Sequence, residues 1–310
     1  MSKSFLSVCM NHTIQKTLVF GDIIVDTVNR VSLHRLDASG KGINVCRVLT
    51  QLGKNCVHLT QLGGNFRPLF LELCALDGLN IEWVESYSSI RFCYTLINKK
   101  SKSITELVEE GEELEEGTEG RLLKAYEKLL PGISTVIISG SMAAGFSTSL
   151  ICEMVRLAKA SSLRVILDIR GKDLRECFPW KPDIIKPNLY EFASTFAPDL
   201  VTGNEINTLH HTESAIKTRI AGICKEIFDK HGCKIVLSRG SKAIWYAENG
   251  EMAEFQVDPI TPVNTTGSGD AFSAGLAAAL EDGLSLKDAV EKGAGCGKLN
   301  AGLLRPGIIR

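Results

Sequence analysis

Asn264–Phe272, with the sequence NTTGSGDAF, decides the fold class of this chain. Glycines alternate with a small polar residue, an acid follows, and a helical run rich in small residues then begins. Glycines let a backbone turn sharply and approach another group closely. The helix presents unpaired N–H groups and a partial positive charge at its start, so the run predicts a cradle for an anion. Asp270 would be repelled by that anion, which favours a role as a base.

Helical and strand patterns alternate along most of the chain and predict an α/β fold. The predicted strands are 5–10, 17–20, 22–36, 56–61, 92–98, 103–108, 135–139, 165–168, 183–186, 234–238, 243–247 and 252–257. The predicted helices are 42–52, 68–76, 121–130, 150–160, 190–196, 212–231, 270–280 and 286–300. We expect a mostly parallel central sheet with helices on both faces, and ligands at the carboxyl ends of its strands. One domain would span 1–310, with 198–211 as a surface excursion.

Composition excludes several classes of protein. The chain has 310 residues and a formal net charge of -1, which gives no support to nucleic-acid or membrane binding. Its ten cysteines include no CxxC pair and lie mostly among apolar neighbours, so we expect buried, reduced thiols. The N-terminus has no basic region followed by an apolar core, and no apolar run approaches membrane-spanning length. These observations favour a cytoplasmic protein.

Four turns suited to anions stand at predicted strand ends. Besides the opening run, they are Ser39–Asn44 with the sequence SGKGIN, Ser139–Ser141 with SGS, and Lys186–Glu191 with KPNLYE. One glycine-rich turn alone is weak evidence, but four at the strand-to-helix junctions of one sheet are much stronger. The sequence contains neither a Walker A motif nor GxGxxG, which disfavours P-loop NTPases and dinucleotide-binding dehydrogenases.

Two of these runs resemble the signatures of a known family. GKGIN at 40–44, followed by Arg47-Val48-Leu49, is similar to the first signature of the ribokinase-like (PfkB) carbohydrate kinases, and TGSGDAF at 266–272 is similar to the second. The order of all motifs matches over essentially the whole chain. Val28–Val31 and the GKGIN run resemble most the branch that acts on phosphosugars, which holds 1-phosphofructokinases and tagatose-6-phosphate kinases. The resemblance implies a ribokinase-like fold with a small β-sheet lid.

The resemblance implies roles on the nucleotide side, with ATP and Mg²⁺ as cofactors. Asp270 would take the proton from the acceptor hydroxyl, and the amides of Gly267, Ser268 and Gly269 would hold the transferring phosphoryl group. Glu191 would work with magnesium, which needs few protein carboxylates because it keeps most of its waters. The other implied nucleotide contacts are Lys186, Asn188, Ser238, Gly240 and Asn300.

On the sugar side, the resemblance makes Gly40, Lys41 and Asn44 substrate contacts, and Arg91 a contact of the substrate phosphate. Strands from about 12–36 and 90–108 would form the lid, whose closure excludes water that competes as phosphoryl acceptor. Lids in this family often pair between subunits, so a homodimer through the lid is left open. Gln15 stands where the family carries an aspartate that accepts from two sugar hydroxyls.

Gln15 is one of several departures from the family pattern, and they cluster on the sugar side. Ser39, Arg67, Phe92 and Arg170 also replace the usual residues. Either the protein phosphorylates a different sugar phosphate, with Arg67 or Arg170 as new anion ligands, or it has lost sugar affinity and is a nucleotide-binding regulatory protein. The intact Asp270 and its glycine turn favour an active enzyme.

The sequence therefore predicts an ATP- and Mg²⁺-dependent sugar-phosphate kinase. Fructose 1-phosphate, converted to fructose 1,6-bisphosphate, is the leading substrate and tagatose 6-phosphate the second. Other sugar kinases of the family and a catalytically weak regulatory protein remain alternatives. A nucleoside kinase is disfavoured because Lys41 suits a phosphate better than a base.

Overall fold

The computed structural model describes residues 4–203 and 205–310. Its strands, in chain order, are β1 Ser4–Val8, β2 Thr13–Phe20, β3 Leu33–Ser39, β4 Asn55–Leu62, β5 Asn80–Glu85, β6 Arg91–Asn98, β7 Ser103–Val108, β8 Ile133–Ser139, β9 Arg164–Asp168, β10 Ile184–Ile185, β11 Val201–Thr202, β12 Glu205–Ile206, β13 Lys234–Leu237, β14 Ile244–Glu248 and β15 Glu251–Phe255. Its helices are α1 Lys41–Gln51, α2 Arg67–Leu76, α3 Thr118–Leu129, α4 Leu150–Ala160, α5 Gly171–Cys177, α6 Leu189–Phe196, α7 Glu213–His231, α8 Ser268–Glu281 and α9 Leu286–Ala301.

Within the described residues, a nine-stranded sheet forms the centre in the order β15-β14-β13-β10-β9-β8-β1-β4-β5. The strands from β13 to β5 in that order run parallel. Strands β14 and β15 join antiparallel at one edge. The predicted mostly parallel sheet is therefore confirmed, and the loops after β1, β8, β9 and β10 emerge on the same side of it.

Helices cover both faces of the central sheet, as expected. Helices α3 to α7 pack against one face, and α1, α2, α8 and α9 pack against the other. Side chains alternate along a strand, so Leu6 of β1 enters the first layer and its neighbour Phe5 enters the second. Both side chains are fully buried.

A separate small sheet has the strand order β3-β2-β6-β7. Strands β2 and β6 are parallel, and the outer pairs are antiparallel. The sequence anticipated this sheet in 12–36 and 90–108, but the predicted strand over 22–36 is wrong because β3 begins only at Leu33. Before it, the Asn29 side chain accepts from the amide of Ile24 and donates to its carbonyl, at 2.9 and 2.7 Å. These bonds hold an exposed turn where the apolar alternation suggested a strand.

Smaller differences occur elsewhere. Strand β1 ends at Val8 rather than at residue 10, β2 starts at Thr13 rather than at 17, and neither β5 nor α5 was predicted. The excursion 198–211 contains a short 3₁₀ helix and the β11–β12 pair, and Asn204 within it lies outside the described residues. All ten cysteines are described as free thiols, and all except Cys152 are buried. Among the described residues, no helix combines the length and apolarity needed to cross a membrane.

Candidate active site

A cavity of about 520 Å³ lies between the carboxyl ends of the central strands and the small sheet. Loops after β1, β8, β9 and β10 form its floor, and strands β2, β6 and β7 contribute a wall. Of the residues selected from sequence, those that line it are Gln15, Gly40, Lys41, Asn44, Arg91, Lys186, Asn188, Glu191, Ser238, Gly267, Gly269 and Asp270. The fold thus brings most of the candidate residues together from distant parts of the chain.

Asp270 lies in the first turn of α8, with 6% of its surface exposed. One carboxylate oxygen accepts a hydrogen bond from Nδ2 of Asn44, at 2.8 Å. Burial raises the pKa of Asp270 to about 7, while Lys41 lowers it and Asp168 raises it further. A carboxyl group with a pKa near neutrality can both accept and release a proton at physiological pH, as a general base requires.

Asp168 joins two lysines at the floor of the cavity. Its carboxylate lies 3.3 Å from Nζ of Lys41 and 3.1 Å from Nζ of Lys186, and it also accepts from Oγ of Ser273 at 3.1 Å. Burial alone would raise the pKa of Asp168, but Lys186 and Lys41 hold it below the usual value. The Asp168 charge in turn raises the pKa of Lys41. Lys41 therefore stays cationic where an anion would bind.

The glycine turn before α8 has the backbone conformation that the sequence predicted to need glycine. Gly267 has φ 82°, and a Cβ there would lie 2.9 Å from the backbone nitrogen of Gly307. At the start of a helix the first amides lack intrahelical partners, which leaves that of Gly269 for a ligand. The amide of Ser268 instead donates to the carbonyl of Thr265, at 3.2 Å. The cradle therefore has fewer free donors than the three amides named from sequence.

Asn188 and Glu191 form a reciprocal cap at the start of α6. The Asn188 side chain accepts from the amide of Glu191 at 2.7 Å, and Glu191 accepts from the amide of Asn188 at 2.9 Å. The second oxygen of Glu191 lies 3.8 Å from Nζ of Lys41. The described residues contain no group of three or more metal-ligating side chains. A single carboxylate facing a phosphate site does fit magnesium, which is usually bound by one or two carboxylates, substrate phosphates and water.

A second cavity of about 430 Å³ adjoins the first and shares Asn188 and Ser238 with it. Gly240 lines this second cavity, with φ 63° and open space at its Cβ position. The guanidinium of Arg239 lies 3.8 Å above the centre of the Trp245 ring. Together the two cavities form a cleft whose floor carries Lys41 and Lys186 beside acidic side chains at one end, and whose wall is partly aromatic at the other.

Two candidates, Asn300 and Ser268, lie outside both cavities. Asn300 is fully buried and donates through Nδ2 to the carbonyls of Arg305 and Ile308, at 3.2 and 3.0 Å. Its Oδ1 accepts from Oγ of Ser268, at 3.3 Å. In this structure the Asn300 side chain therefore holds the C-terminal segment to the start of α8.

The sugar-side candidates lie on the small sheet. Nε2 of Gln15 donates to Oγ1 of Thr95 at 2.7 Å. Arg91 donates to the backbone carbonyls of Glu109 and Asn11, at 2.9 and 3.2 Å. Its Nε is buried and has no hydrogen-bond partner among the described residues. A buried guanidinium nitrogen that lacks an acceptor suits an anionic ligand.

The other departures from the family pattern divide between the cavity and the surface. Ser39 lines the first cavity, and its Oγ is 3.4 Å from Oδ1 of Asn44. Arg67 pairs with Glu85, and Phe92 packs edge-on against another aromatic ring. Arg67, Phe92 and the exposed Arg170 line neither cavity, so the structure does not bring the proposed new anion ligands to the site.

Asp168 and Glu106 are cavity residues with clear roles that were not selected from the sequence. Asp168 could have been noticed as an acid that ends an otherwise apolar strand. Glu106 of β7 accepts a hydrogen bond from Oγ1 of Thr266, at 2.7 Å, and so ties the small sheet to the glycine turn. Nothing in the sequence around Glu106 indicates this contact, because it joins residues 160 positions apart.

Comparisons with known sequences and structures find proteins that are similar to this chain over nearly its whole length. The sequence model described as pfkB family carbohydrate kinase matches residues 7–304. A tagatose-6-phosphate kinase from Staphylococcus epidermidis is 27% identical over 298 residues, or 96% of this chain and 91% of that protein. A possible 1-phosphofructokinase from Thermotoga maritima has a TM-score of 0.82 at 22% identity, covering 95% of this chain and 90% of that chain. The tetrameric inhibited form of phosphofructokinase-2 from Escherichia coli has a TM-score of 0.82 at 19% identity, covering 97% and 94%.

Proposed function

Because this chain belongs to the pfkB family of carbohydrate kinases and has their ribokinase-like fold, we propose that it transfers the terminal phosphoryl group of ATP to a hydroxyl of a phosphorylated ketohexose. The observation that carries the proposal is that one cavity contains both the Asp270 carboxyl and the Arg91 guanidinium. A sugar phosphate needs these two features, a base for its hydroxyl and a cation for its phosphate.

The proposed reaction follows from the chemistry of the cavity floor. Asp270 removes the proton of the acceptor hydroxyl, and the oxygen forms a bond to the terminal phosphorus as the bond from that phosphorus to ADP breaks. The proton stays on Asp270 until it passes to solvent. Lys41, Lys186 and the amide of Gly269 offset the negative charge on the phosphoryl oxygens, which is the largest contribution that a protein makes to this chemistry.

The second cavity is the proposed site for the nucleoside part of ATP. Its connection to the first cavity through Asn188 and Ser238 supports this assignment, because the phosphates would then extend toward Asp270. Glu191 is the carboxylate that fits magnesium. When bound with the nucleotide, this ion neutralises phosphate charge.

Fructose 1-phosphate and tagatose 6-phosphate have a phosphate at one end and a primary hydroxyl at the other. Either substrate therefore matches a cavity that has a cation and a base. Fructose 1-phosphate remains the leading candidate. The tagatose-6-phosphate kinase among the relatives supports the second substrate. Gln15 favours a third candidate, a nucleotide-binding regulatory protein without turnover, because an amide presents one acceptor atom where a carboxylate presents two.

The proposal is tested by ADP release in a coupled assay with ATP, Mg²⁺ and a panel of fructose 1-phosphate, tagatose 6-phosphate, fructose 6-phosphate and unphosphorylated fructose. We expect turnover with one of the first two sugars and a much weaker response to fructose. Equal activity with fructose would remove Arg91 as a phosphate contact. ATP binding by calorimetry without turnover of any sugar would support the regulatory alternative.

Gln15→Asp tests whether the amide weakens the sugar site or selects a different sugar. Because a hydrogen bond to a charged group is worth about 1.5–3 kcal/mol, we expect KM for fructose 1-phosphate to fall by about 10- to 100-fold. KM for ATP should stay unchanged, since Gln15 lies on the small sheet. Gln15→Asn is the matched control, as it shortens the side chain to the length of aspartate but adds no charge. Loss of activity in Gln15→Asp, with Gln15→Asn active, would show that the site requires an amide.

A homodimer through the small sheet and a cytoplasmic location remain predictions. The exposed apolar side chains of Val25, Val28 and Leu107, at 88%, 85% and 52% exposure, support an interface on this part of the chain.

A further inference from the structure

A network of buried ion pairs lies directly behind the proposed catalytic centre. Arg47 of α1 and Arg305 of the C-terminal segment both contact the carboxylate of Asp77, at 2.9 and 2.6 Å. Arg305 also pairs with Asp37 of β3, at 2.7 Å. Because Arg47, Asp77 and Asp37 are each less than a tenth exposed, these charges depend on one another rather than on water.

All three nitrogens of the Arg47 guanidinium donate hydrogen bonds. Nε donates to Asp77, Nη2 donates to the carbonyl of Ala38 at 2.5 Å, and Nη1 donates to the carbonyl of Pro306 at 3.3 Å. Nη1 also donates to Oδ1 of Asn44, at 2.9 Å. A guanidinium has no acceptor, so whichever amide atom of Asn44 faces it must be the oxygen.

This contact determines which amide atom faces the base. With Oδ1 toward Arg47, the Asn44 side chain presents its NH₂ group to Asp270, and the two bonds are 2.9 and 2.8 Å long. Gly307 packs closely against this pair, because a Cβ there would lie 2.9 Å from Oδ1 of Asn44 and 2.9 Å from Nη1 of Arg47. We propose that Arg47 is a positioning residue, which orients the Asn44 amide so that it donates to Asp270 and thereby favours the ionised form of the base.

The reason is the difference between the two protonation states of Asp270. An ionised carboxylate accepts only, and it is satisfied by the NH₂ group. A protonated carboxyl can still accept from that NH₂ group through its carbonyl oxygen, but the bond is weaker. Its O–H could donate to the amide oxygen only if the amide turned over, and that turn would place the NH₂ group against the N–H groups of Arg47. Arg47 thus penalises the protonated state without touching Asp270 itself.

Other charged and titratable groups also face Asp270 and must be kept constant in any test. They are Lys41 at the start of α1, Asp168 at the end of β9, Lys186 after β10 and the buried thiol of Cys9 after β1. The proposed test leaves all four unchanged.

The test rests on the proposed kinase activity and uses Arg47→Lys. Lysine keeps the charge and can pair with Asp77, but its single nitrogen cannot also reach Asn44 and Ala38. We expect kcat to fall by about 5-fold at pH 7, because a rise of one unit from a pKa of about 7 lowers the ionised fraction of Asp270 from about a half to about a tenth. The acid limb of the pH profile should move up by about one unit. KM for ATP should be unchanged.

Arg305→Lys is the matched control. It perturbs the same Asp77 ion pair, but within the described residues the Arg305 side chain pairs with Asp77 and Asp37 and donates no hydrogen bond to Asn44. We expect it to lower the melting temperature about as much as Arg47→Lys while leaving the pH profile in place. If both variants shift the profile equally, the network acts through stability alone and the proposal is rejected.

A double-mutant cycle gives the sharper test. If Arg47 acts through Asn44, the effect of Arg47→Lys on the pH profile should disappear in an Asn44→Ala background, whereas independent effects would add. Additive shifts would contradict the proposal.

A measurement that needs no turnover separates this inference from the kinase assignment. The Asp270 carboxyl carbon can be titrated by NMR in protein labelled at aspartate, with Asp270→Asn to identify its signal. We expect the pKa of Asp270 to be higher in Arg47→Lys than in the unsubstituted protein. This result does not depend on which sugar is the substrate. An unchanged pKa would overturn the positioning role even if the enzyme is active, and a raised pKa in a protein without turnover would reject only the proposed function.

Discussion

Asp270→Asn is expected to lower kcat by about 100- to 10,000-fold, the range for loss of a positioned general base. Asparagine has nearly the same shape and still offers an oxygen to Nδ2 of Asn44, so the cavity should keep its geometry. It cannot take a proton from the acceptor hydroxyl. KM for ATP should change little, because the proposed nucleoside site lies in the second cavity. The measurement is steady-state ADP release together with ATP binding by calorimetry.

The same variant should be more stable than the unsubstituted protein at neutral pH. The pKa of folded Asp270 is about 7, whereas an aspartate in an unfolded chain titrates near about 4. Between these values the unfolded chain has lost the proton that the folded protein keeps, so stability falls as pH rises through this window. In Asp270→Asn this loss of stability with rising pH is absent, because asparagine does not titrate. Its melting-temperature advantage should therefore grow from about pH 4 to about pH 7 and then stay constant.

The control for Asp270→Asn is Asp282→Asn, since Asp282 has a 56% exposed side chain that pairs with Lys54 at the surface. This control should leave both turnover and the pH dependence of stability unchanged. Activity in Asp270→Asn within threefold of the unsubstituted enzyme would reject Asp270 as the base.

Lys41→Met is expected to lower kcat/KM by about 100- to 1,000-fold, the usual cost of removing one group that stabilises developing charge. Methionine fills much the same volume but leaves Asp168 with one lysine instead of two. Lys41 is also the charge that most lowers the pKa of Asp270, whose value is about 7 with the lysine present. In the unsubstituted enzyme kcat/KM should fall as pH drops below that value, and in Lys41→Met this limb should move to higher pH.

Lys41→Arg separates the charge from the exact donor geometry. Because arginine keeps the positive charge, the acid limb of the profile should stay near its original position even if the rate falls. Lys54→Met, which removes a lysine from the surface pair with Asp282, should affect neither quantity. A Lys41→Met variant that retains full kcat/KM would show that the Lys41 charge plays no part in the reaction.

Most of the fold could be predicted because its signals are local. The apolar strands and amphipathic helices from α3 onward are continuous patterns, and their alternation is enough to predict a parallel sheet with helices on both faces. The central layers lack only β5 and α5 among the predicted elements, and the largest failure occurs in the small sheet. The segment before β3 has an alternating pattern, but the side chain of Asn29 forms a turn there. Alternation alone cannot distinguish a strand from an exposed turn with the same residues.

The candidate site divides in the same way. Gly267 and Asp270 could be identified from sequence because a glycine turn, a helix start and an acid are adjacent in the chain. Asp168 could be noticed only as an acid that ends an apolar strand, since its importance comes from two lysines that belong to other elements. Asn300 is the opposite case, because it was selected from the sequence but lines neither cavity. Its side chain is fully buried and donates a hydrogen bond to a backbone carbonyl of the C-terminal segment. No local sequence pattern reveals this contact.

The sequence by itself determined the class of fold, the glycine turn and the identity of the proposed base, because each depends on residues that are neighbours in the chain. Only the tertiary structure decided how that base is controlled. The pKa of Asp270 depends on burial, on Lys41 and Asp168, and on the direction of the Asn44 amide. Arg47, one turn further along α1 than Asn44, sets that direction. These groups come from separate strands and helices, and electrostatic and hydrogen-bond interactions depend on distance in space, which the order of residues does not specify.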